Sequence, residues 1–330
     1  MKAVICDGFG KVDVLKIVDV DVPKIKENQV LIKVAATTVN KPDIVQREGN
    51  YPPPKGESEI LGLEVAGIIE KVGSKVKNWK KGDKVAALVG GGGYAEYATA
   101  YADHLISIPD SMSFEEAACI SESYITAFLN VFIIGGLKEN NYALFHGGGG
   151  GVNTAAIQIT KAITKNTNVI VTASEKKLDK VKELGADLVI NYKENRDFAN
   201  VIKKYTDKRG VDVILDHIGA AYLDNNIKSL AYGGRLVIIG VTSGIKAEIN
   251  LGLVMVKRLK VIGSVLRSRP IKEKADIIKM FNMMVMPKFA DRTIVPLIYK
   301  ILPLENVQEA HTIMEKSEHF GKIVLKVADL

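Results

Sequence analysis

From about residue 120 to residue 266 the chain repeats one pattern, a short run of apolar, often β-branched residues followed by a longer segment with apolar positions at helical spacing. The runs YALF, NVIVTA, DLVINY and VDVILD each precede such a segment, and GRLVIIG and KVIGSV then follow as strands in succession. Strands that are apolar on both faces and separated by helices form a parallel sheet covered on both sides. After YALF, the positions Val152, Ala155, Ala156, Ile159 and Ile163 mark one helical face. The segment EKKLDKVKELGA is closed by Gly185.

Before residue 110 the pattern is different. QVLIKVAATTVN, EVAGIIEKVGSKV, DKVAALVGGGGYAEYATAY and HLISIP are short, rich in β-branched residues and separated by turn chemistry, which predicts a compact β-rich domain opened by the strand at MKAVIC. The run Gly90 to Gly93 reads as a hairpin or loop turn within it. The C-terminal stretch from Pro270 predicts two helices and two or three strands that return to this first domain. With 330 residues and 47% apolar content, two domains are expected.

Lys and Arg number 45 against 38 Asp and Glu, a formal charge of +7, and the basic residues are scattered. That fits a basic enzyme with some affinity for anions and disfavours a dedicated nucleic-acid binder. Cys6 and Cys119 have no partner spacing, which argues against a disulfide framework and for a reducing compartment. The N-terminus has no secretory pattern and no apolar run approaches a membrane span, so a cytoplasmic protein without a membrane partner is expected.

Five consecutive glycines, Gly147 to Gly151, stand directly after one strand and directly before one helix. At the start of such a unit, this is where a Rossmann domain holds a dinucleotide pyrophosphate on bare backbone amides and the positive helix end. Gly148, Gly149, Gly150, Gly151 and Val152 are the candidate phosphate contacts. Asn153 stands where the last glycine of the fingerprint is expected; either it caps the free amides of the helix or it pushes the pyrophosphate outward. The second strand ends without the acidic residue that would hold both ribose hydroxyls of NAD, and offers Ala173, Ser174, Lys176 and Lys177 instead, which favours NADP. Glu175 is an unfavourable charge there, and Tyr192 adds a candidate contact from the end of the third strand. Ligands of open α/β sheets bind beyond the carboxyl ends of strands, which singles out Gly240, Ser264, Leu266 and Arg267.

The segments VLIKVAATTVNKPDIVQREGNYPPP, ILGLEVAGIIEKVG, WKKGDKVAAL, GGGGYAEYA, AACISESYITAF, ALFHGGGGGVNTAAIQ and ELGADLVINY resemble the zinc-independent quinone oxidoreductases of the medium-chain dehydrogenase/reductase superfamily. The tumour-suppressor-inducible branch is the nearer in pattern and zeta-crystallin-like proteins the more distant. The resemblance covers nearly the whole chain, including VLRSR and the ending GKIVLKV. It implies a GroES-like domain from residues 1–121 and 267–330 around a Rossmann domain of residues 122–266, with NADPH in the cleft and a homodimer. It also implies roles for Asn40 and Tyr51 near the nicotinamide and quinone, and for Thr126 at the carboxamide side of the nicotinamide. The proline that commonly precedes the glutamate of this segment is replaced by Ser121 before Glu122.

Catalytic zinc needs three closely placed Cys, His or carboxylate ligands, and the five histidines, His104, His146, His217, His311 and His319, are isolated in sequence. Without a metal or an activated nucleophile the chemistry must run by placement. A quinone accepts hydride readily because the product charge is delocalised, leaving the protein to align, to exclude water and to supply a proton. Asn40 is then expected to hydrogen-bond a carbonyl oxygen and Tyr51 to stack on a flat ring or donate its hydroxyl. The leading expectation is an NADPH-dependent reductase of small planar ortho-quinones. An enone or alkenal reductase is the second, and a nucleotide- or RNA-binding or structural protein with little turnover is the third.

Overall fold

A computed structural model describes residues 1–330 and divides the chain into two compact units, Met1–Ile125 with Arg267–Leu330, and Thr126–Leu266. The first unit begins with β1 (Lys2–Cys6), β2 (Leu15–Asp19), β3 (Gln29–Val39), β4 (Glu64–Val72), β5 (Lys84–Leu88), β6 (Tyr97–Tyr101) and β7 (Leu105–Ser107). The second carries β8 (Tyr142–His146), β9 (Asn168–Ala173), β10 (Leu188–Asn191), β11 (Val211–Asp216), β12 (Leu230–Ile238) and β13 (Lys260–Gly263). The chain then returns to the first unit with β14 (Ile298–Pro303) and β15 (Lys322–Lys326).

In the first unit β1 pairs with β2, and a larger sheet runs in the order β14, β15, β3, β4, β5, β7, with β6 also on β3. The long strand β3 is its axis. Alternate residues Val30, Ile32 and Val34 meet Val65, Ile69, Val85 and Ala98 in one core, as the two-residue period of a strand requires. A second core joins both ends of the chain: Val4, Leu15, Val39 and Leu61 pack with Leu302, Ile323 and Leu325. Register matters here. β15 runs antiparallel to β3 with Ile323 opposite Val39, so the next step along the ladder brings Lys322 to Asn40.

The glycines Gly90–Gly93 form a loop and not a hairpin, because β5 pairs with β4 and β7 whereas β6 pairs with β3. Their bareness lets the loop press on residues 57–62: a methyl on Gly91 would lie 2.2 Å from the Ser58 carbonyl oxygen.

In the second unit the sheet order is β10, β9, β8, β11, β12, β13, with every pair parallel. Numbered within the unit this is 3-2-1-4-5-6, the doubly wound Rossmann order, which puts the ends of β8 and β11 on either side of the switch point. Leu144, Ile170, Ile190, Ile214 and Leu236 are the centre of its core.

Two expectations about elements are corrected. Between β12 and β13 lies a helix, Leu251–Val256, where two strands were expected in succession. Parallel neighbours need a crossover, and this one is a single short helix whose outer residues Leu251 and Met255 are exposed, so its sequence shows no polar face. The C-terminal segment has three helices, Ile271–Met284, Met286–Ala290 and Val307–Lys316. Pro287 begins the extra piece, since it has no amide hydrogen to continue the preceding helix. No helix is long and apolar enough to cross a membrane.

Gly67 of β4 is where the sheet tolerates least. A methyl there would lie 2.0 Å from the Lys33 carbonyl oxygen on the paired strand β3. The Gly67→Ala variant is expected to lose about 1–3 kcal/mol or more of stability, read as a lower urea midpoint; an unchanged midpoint would show that β3 and β4 separate without cost.

Candidate dinucleotide and substrate sites

The glycine run closes β8 and opens the helix Gly151–Ile163. Its members are bare for different reasons. Gly147 has φ +74°, and a methyl on it would lie 2.7 Å from the His217 ring. Gly148 packs against Val171 and Val181, at 2.5 and 2.8 Å from such a methyl. Gly149 lies beneath the side chain of Lys177, and Gly150 faces open space, with no atom within 4 Å. The amides of Gly147 and Gly148 donate to the Thr172 carbonyl oxygen at 2.9 and 3.1 Å, and that of Gly150 donates to Gly147 at 3.2 Å. Those of Gly149, Gly151 and Val152 donate to no protein group. Three free amides at a helix N-terminus, beside an open space and a lysine, fit an anionic phosphate.

Asn153 does not cap the helix. Its Nδ2 lies 3.4 Å from the Gly147 carbonyl oxygen and 3.4 Å from His217 Nδ1, while its Oδ1 is buried without a partner. The side chain thus supports the turn at Gly147 and leaves the helix amides open. His217, at the end of β11, is held neutral because burial pushes it down to about 4. Gly240 leaves room for the same ring, since a methyl there would sit 3.1 Å from the His217 Cβ.

Behind the turn lies a buried relay that sequence reasoning missed. His146 contacts Thr172 Oγ1 at 2.9 Å through Nδ1 and Asn226 Oδ1 at 2.7 Å through Nε2. Burial holds this imidazole far below its usual value, at about 3, so it is neutral, with one nitrogen donating and the other accepting. Asn226 Nδ2 donates to Asp216 Oδ2 at 3.2 Å, and the amides of Ile218 and Gly219 donate to the same carboxyl at 2.7 to 3.3 Å. The relay ties β8, β9 and β11 together at their carboxyl ends. Its only sequence signals were the histidine before the glycine run and the Asp-His pair ending VDVILD.

At the end of β9, Ser174 precedes a single turn, Glu175–Lys177. Lys177 is half-buried over Gly149 and Lys176 is exposed. Burial, with Lys180 nearby, lowers the Lys177 pKa. The charge expected to trouble a phosphate is occupied elsewhere: Glu175 Oε2 accepts from Asn191 Nδ2 at 2.9 Å. Tyr192 donates its amide to the Ala173 carbonyl oxygen at 3.3 Å, which brings it to the same corner. Ser264 donates its amide to Ile238 at 2.9 Å beyond β12, and Leu266 is buried. Thr126 lies apart from the turn in chain order, in the helix Ser123–Phe128, with its Oγ1 buried and unpartnered.

The first unit holds a second polar centre. Lys322 Nζ donates to Glu64 Oε1 at 2.9 Å, Asn40 Oδ1 at 2.6 Å and Ser123 Oγ at 3.0 Å. Asn40 Nδ2 donates to Glu64 Oε1 at 3.0 Å and Thr38 Oγ1 at 3.3 Å. Both sides of the Asn40 amide are therefore engaged inside the unit. The contact to a substrate carbonyl expected from the sequence has no free donor here, and Asn40 instead positions Lys322 and Glu64. Asp43, pushed up to about 6 by burial, accepts from the amides of Asn40 at 2.7 Å and Gly62 at 3.1 Å and from the Tyr94 hydroxyl at 3.2 Å.

Tyr51 lies in a different setting. The Arg267 guanidinium stands over its ring, 5.2 Å from the centroid, and Arg267 Nη1 donates to the Tyr51 carbonyl oxygen at 3.4 Å. Arg267 also donates through Nε and Nη2 to the Gly90 carbonyl oxygen at 2.9 and 2.7 Å. The glycine loop thus anchors the arginine, and the arginine fixes the tyrosine. These bonds engage three of the five N–H donors of the guanidinium.

Residues 26–110 match the family described as the alcohol dehydrogenase GroES-like domain, and residues 151–284 the family described as zinc-binding dehydrogenase. The quinone oxidoreductase of Homo sapiens is 34% identical over 98% of this chain and 97% of its own length. Among solved structures, a quinone oxidoreductase of Pseudomonas syringae superposes with a TM-score of 0.88 at 27% identity, covering 99% of each chain. A mycobacterial protein solved in complex with NADPH superposes with a TM-score of 0.89 at 27% identity, covering 99% of this chain and all of that one. No three His, Cys, Asp or Glu side chains converge as a metal site would require, and the Lys322 ammonium stands against Glu64. A dinucleotide turn on a 3-2-1-4-5-6 sheet, a GroES-like unit built from both chain ends and this full-length identity agree, and the chain belongs to the quinone oxidoreductases of the medium-chain dehydrogenase/reductase superfamily.

Proposed function

We propose that the protein is an NADPH-dependent, zinc-independent reductase of small planar quinones, ortho-quinones among them. The observation that carries this reading is the turn Gly147–Val152, with three free amides, an open approach at Gly150 and Lys177 alongside. Gly149, Gly151 and Val152 would hold the pyrophosphate, and Ser174, Lys177 and Tyr192 would meet the ribose that carries the extra phosphate of NADPH. Thr126, with its unpartnered hydroxyl, would serve the carboxamide. The bound dihydronicotinamide supplies hydride. Tyr51, made rigid by Arg267, offers a flat ring to a planar substrate. The orientation of these groups does the remaining work, since a quinone needs alignment more than activation.

We place the protein in the cytosol, as its free Cys6 and Cys119 suit a reducing compartment. We also propose a homodimer. Strand β13 is an open edge of the six-stranded sheet, and exposed Leu251, Met255, Val256, Val261 and Val265 surround it. A twofold axis sets two copies of such an edge antiparallel, which pairs their free backbone groups and covers the apolar rim.

The function is tested by following oxidation of NADPH and NADH with an ortho-quinone, a para-quinone and an enone. Turnover with NADPH and quinone is expected, and Lys177→Ala should weaken NADPH roughly tenfold with little effect on NADH; equal weakening of both would move Lys177 to the pyrophosphate, and reduction of the enone alone would replace the substrate class. Gly150→Ala puts a methyl in the open space, so the unliganded melting temperature should hold while NADPH affinity by calorimetry falls roughly tenfold or more. In light scattering, the wild type should have twice the chain mass and Met255→Glu/Val256→Lys the mass of one chain; a monomeric wild type would refute the edge-strand pairing.

A further inference from the structure

Glu122 is the exception among the buried carboxyl groups of the first unit. Glu64 accepts from Lys322, Asn40, Thr38 and the Glu122 amide, the last at 2.7 Å, and Asp43 accepts from two amides and a hydroxyl. The Glu122 side chain is 9% exposed, yet its Oε2 has no partner. A buried carboxylate oxygen without a hydrogen bond is costly, and one relief is to take up a proton.

The charged groups around it act in both directions. Glu64 and Asp43 repel a charge on Glu122, while Lys322 and Arg267 favour it. Both cations are engaged elsewhere, Lys322 with Glu64, Asn40 and Ser123, and Arg267 with Gly90 and Tyr51. Lys274, the remaining cation in its field, donates to the Arg267 carbonyl oxygen at 3.2 Å. Burial first, and Glu64 second, push the Glu122 carboxyl up to about 8. The same carboxyl acts on the Tyr51 hydroxyl, whose pKa rises through burial and then through Glu122.

We propose that Glu122 is the proton source of the reduction, a carboxylic acid kept neutral beside Tyr51 that protonates the oxygen anion formed when the quinone accepts hydride. The inference rests on the quinone-reductase reading. In the balanced step the quinone would take up hydride, a hydrogen with the electron pair of the broken C–H bond, which a bound dihydronicotinamide would supply. The resulting hydroquinone monoanion takes a proton from Glu122, which leaves a carboxylate that water reprotonates. Two electrons and two hydrogens reach the substrate, and the oxidised nicotinamide is the other product. A neutral acid is required, so the rate should be level below about pH 8 and fall as pH rises through that value.

The test joins an activity-free readout to kinetics. In protein labelled with ¹³C at the glutamate carboxyls, one resonance should titrate near pH 8 and be missing from Glu122→Gln. In the same variant kcat with quinone should fall roughly a hundredfold and lose its high-pH decline, with NADPH affinity unchanged, while Glu122→Asp regains part of the rate. The proposal is overturned if no glutamate titrates above the normal range, or if Glu122→Gln keeps the wild-type kcat and pH profile. A wild type inert toward every quinone overturns the reductase reading itself, and is told apart from failure of Glu122 because only the latter leaves the wild type active.

Discussion

The ion pair between Lys322 and Glu64 is almost wholly withdrawn from water, its partners 4% and 0% exposed, and the first unit is organised around it. Lys322 comes from the last strand of the chain and Glu64 from the first residue of β4, so the pair exists only when β15 has closed onto β3 in register. Each charge is also hydrogen-bonded by neutral neighbours, the condition under which a buried pair is tolerated; removing one member of such a pair costs about 3–5 kcal/mol because the other is left uncompensated. Asn40, Thr38, Ser123 and the Glu122 amide all take their orientation from it. The pair also explains why Glu122 has no direct cation partner: the Lys322 ammonium already donates to Glu64, Asn40 and Ser123, so Glu122 feels it only at a distance, against burial and the repulsion of Glu64.

The second unit handles polar groups in the opposite way. Its relay from Thr172 through His146 and Asn226 to Asp216 satisfies itself without a net cation, and at the turn the amides of Gly149, Gly151 and Val152 donate to no protein group, with the half-buried Lys177 alongside. Unmet donors at a helix N-terminus raise the potential at Gly150, and the open space there lets an anion reach it. One unit is thus prepared to receive negative charge, and the other to hold a proton.

How much of this could be read in advance follows from the range of the interactions. The parallel sheet was legible because each strand is buried on both faces and announces itself as an apolar run, and the turn was legible because strand, glycines and helix are contiguous. The helix Leu251–Val256 escaped because it is short and exposes apolar residues, so no helical period appears. The family pattern pointed to Asn40, yet its actual partners are Glu64 and Lys322, 24 and 282 residues away, and nothing local shows that both sides of its amide are taken. Asn153 was recognised as a departure from the fingerprint, but its turn toward His217 depends on a residue 64 positions on. The isolation of Glu122 is the least legible feature, since it consists of partners that long-range packing has assigned elsewhere.

That last point bears on how the site works. A carboxyl group in a loop would titrate in the ordinary range and be ionised at neutral pH. Here the departure comes from the same packing that closes the chain ends together: β15 brings Lys322 to Glu64, Glu64 then accepts the Glu122 amide, and the glycine loop fixes Arg267 against Tyr51. The cost of burying an unpaired acid is carried by a sheet that β14 and β15 complete, so the protonation state of one side chain and the stability of the whole unit depend on the same strand pairing.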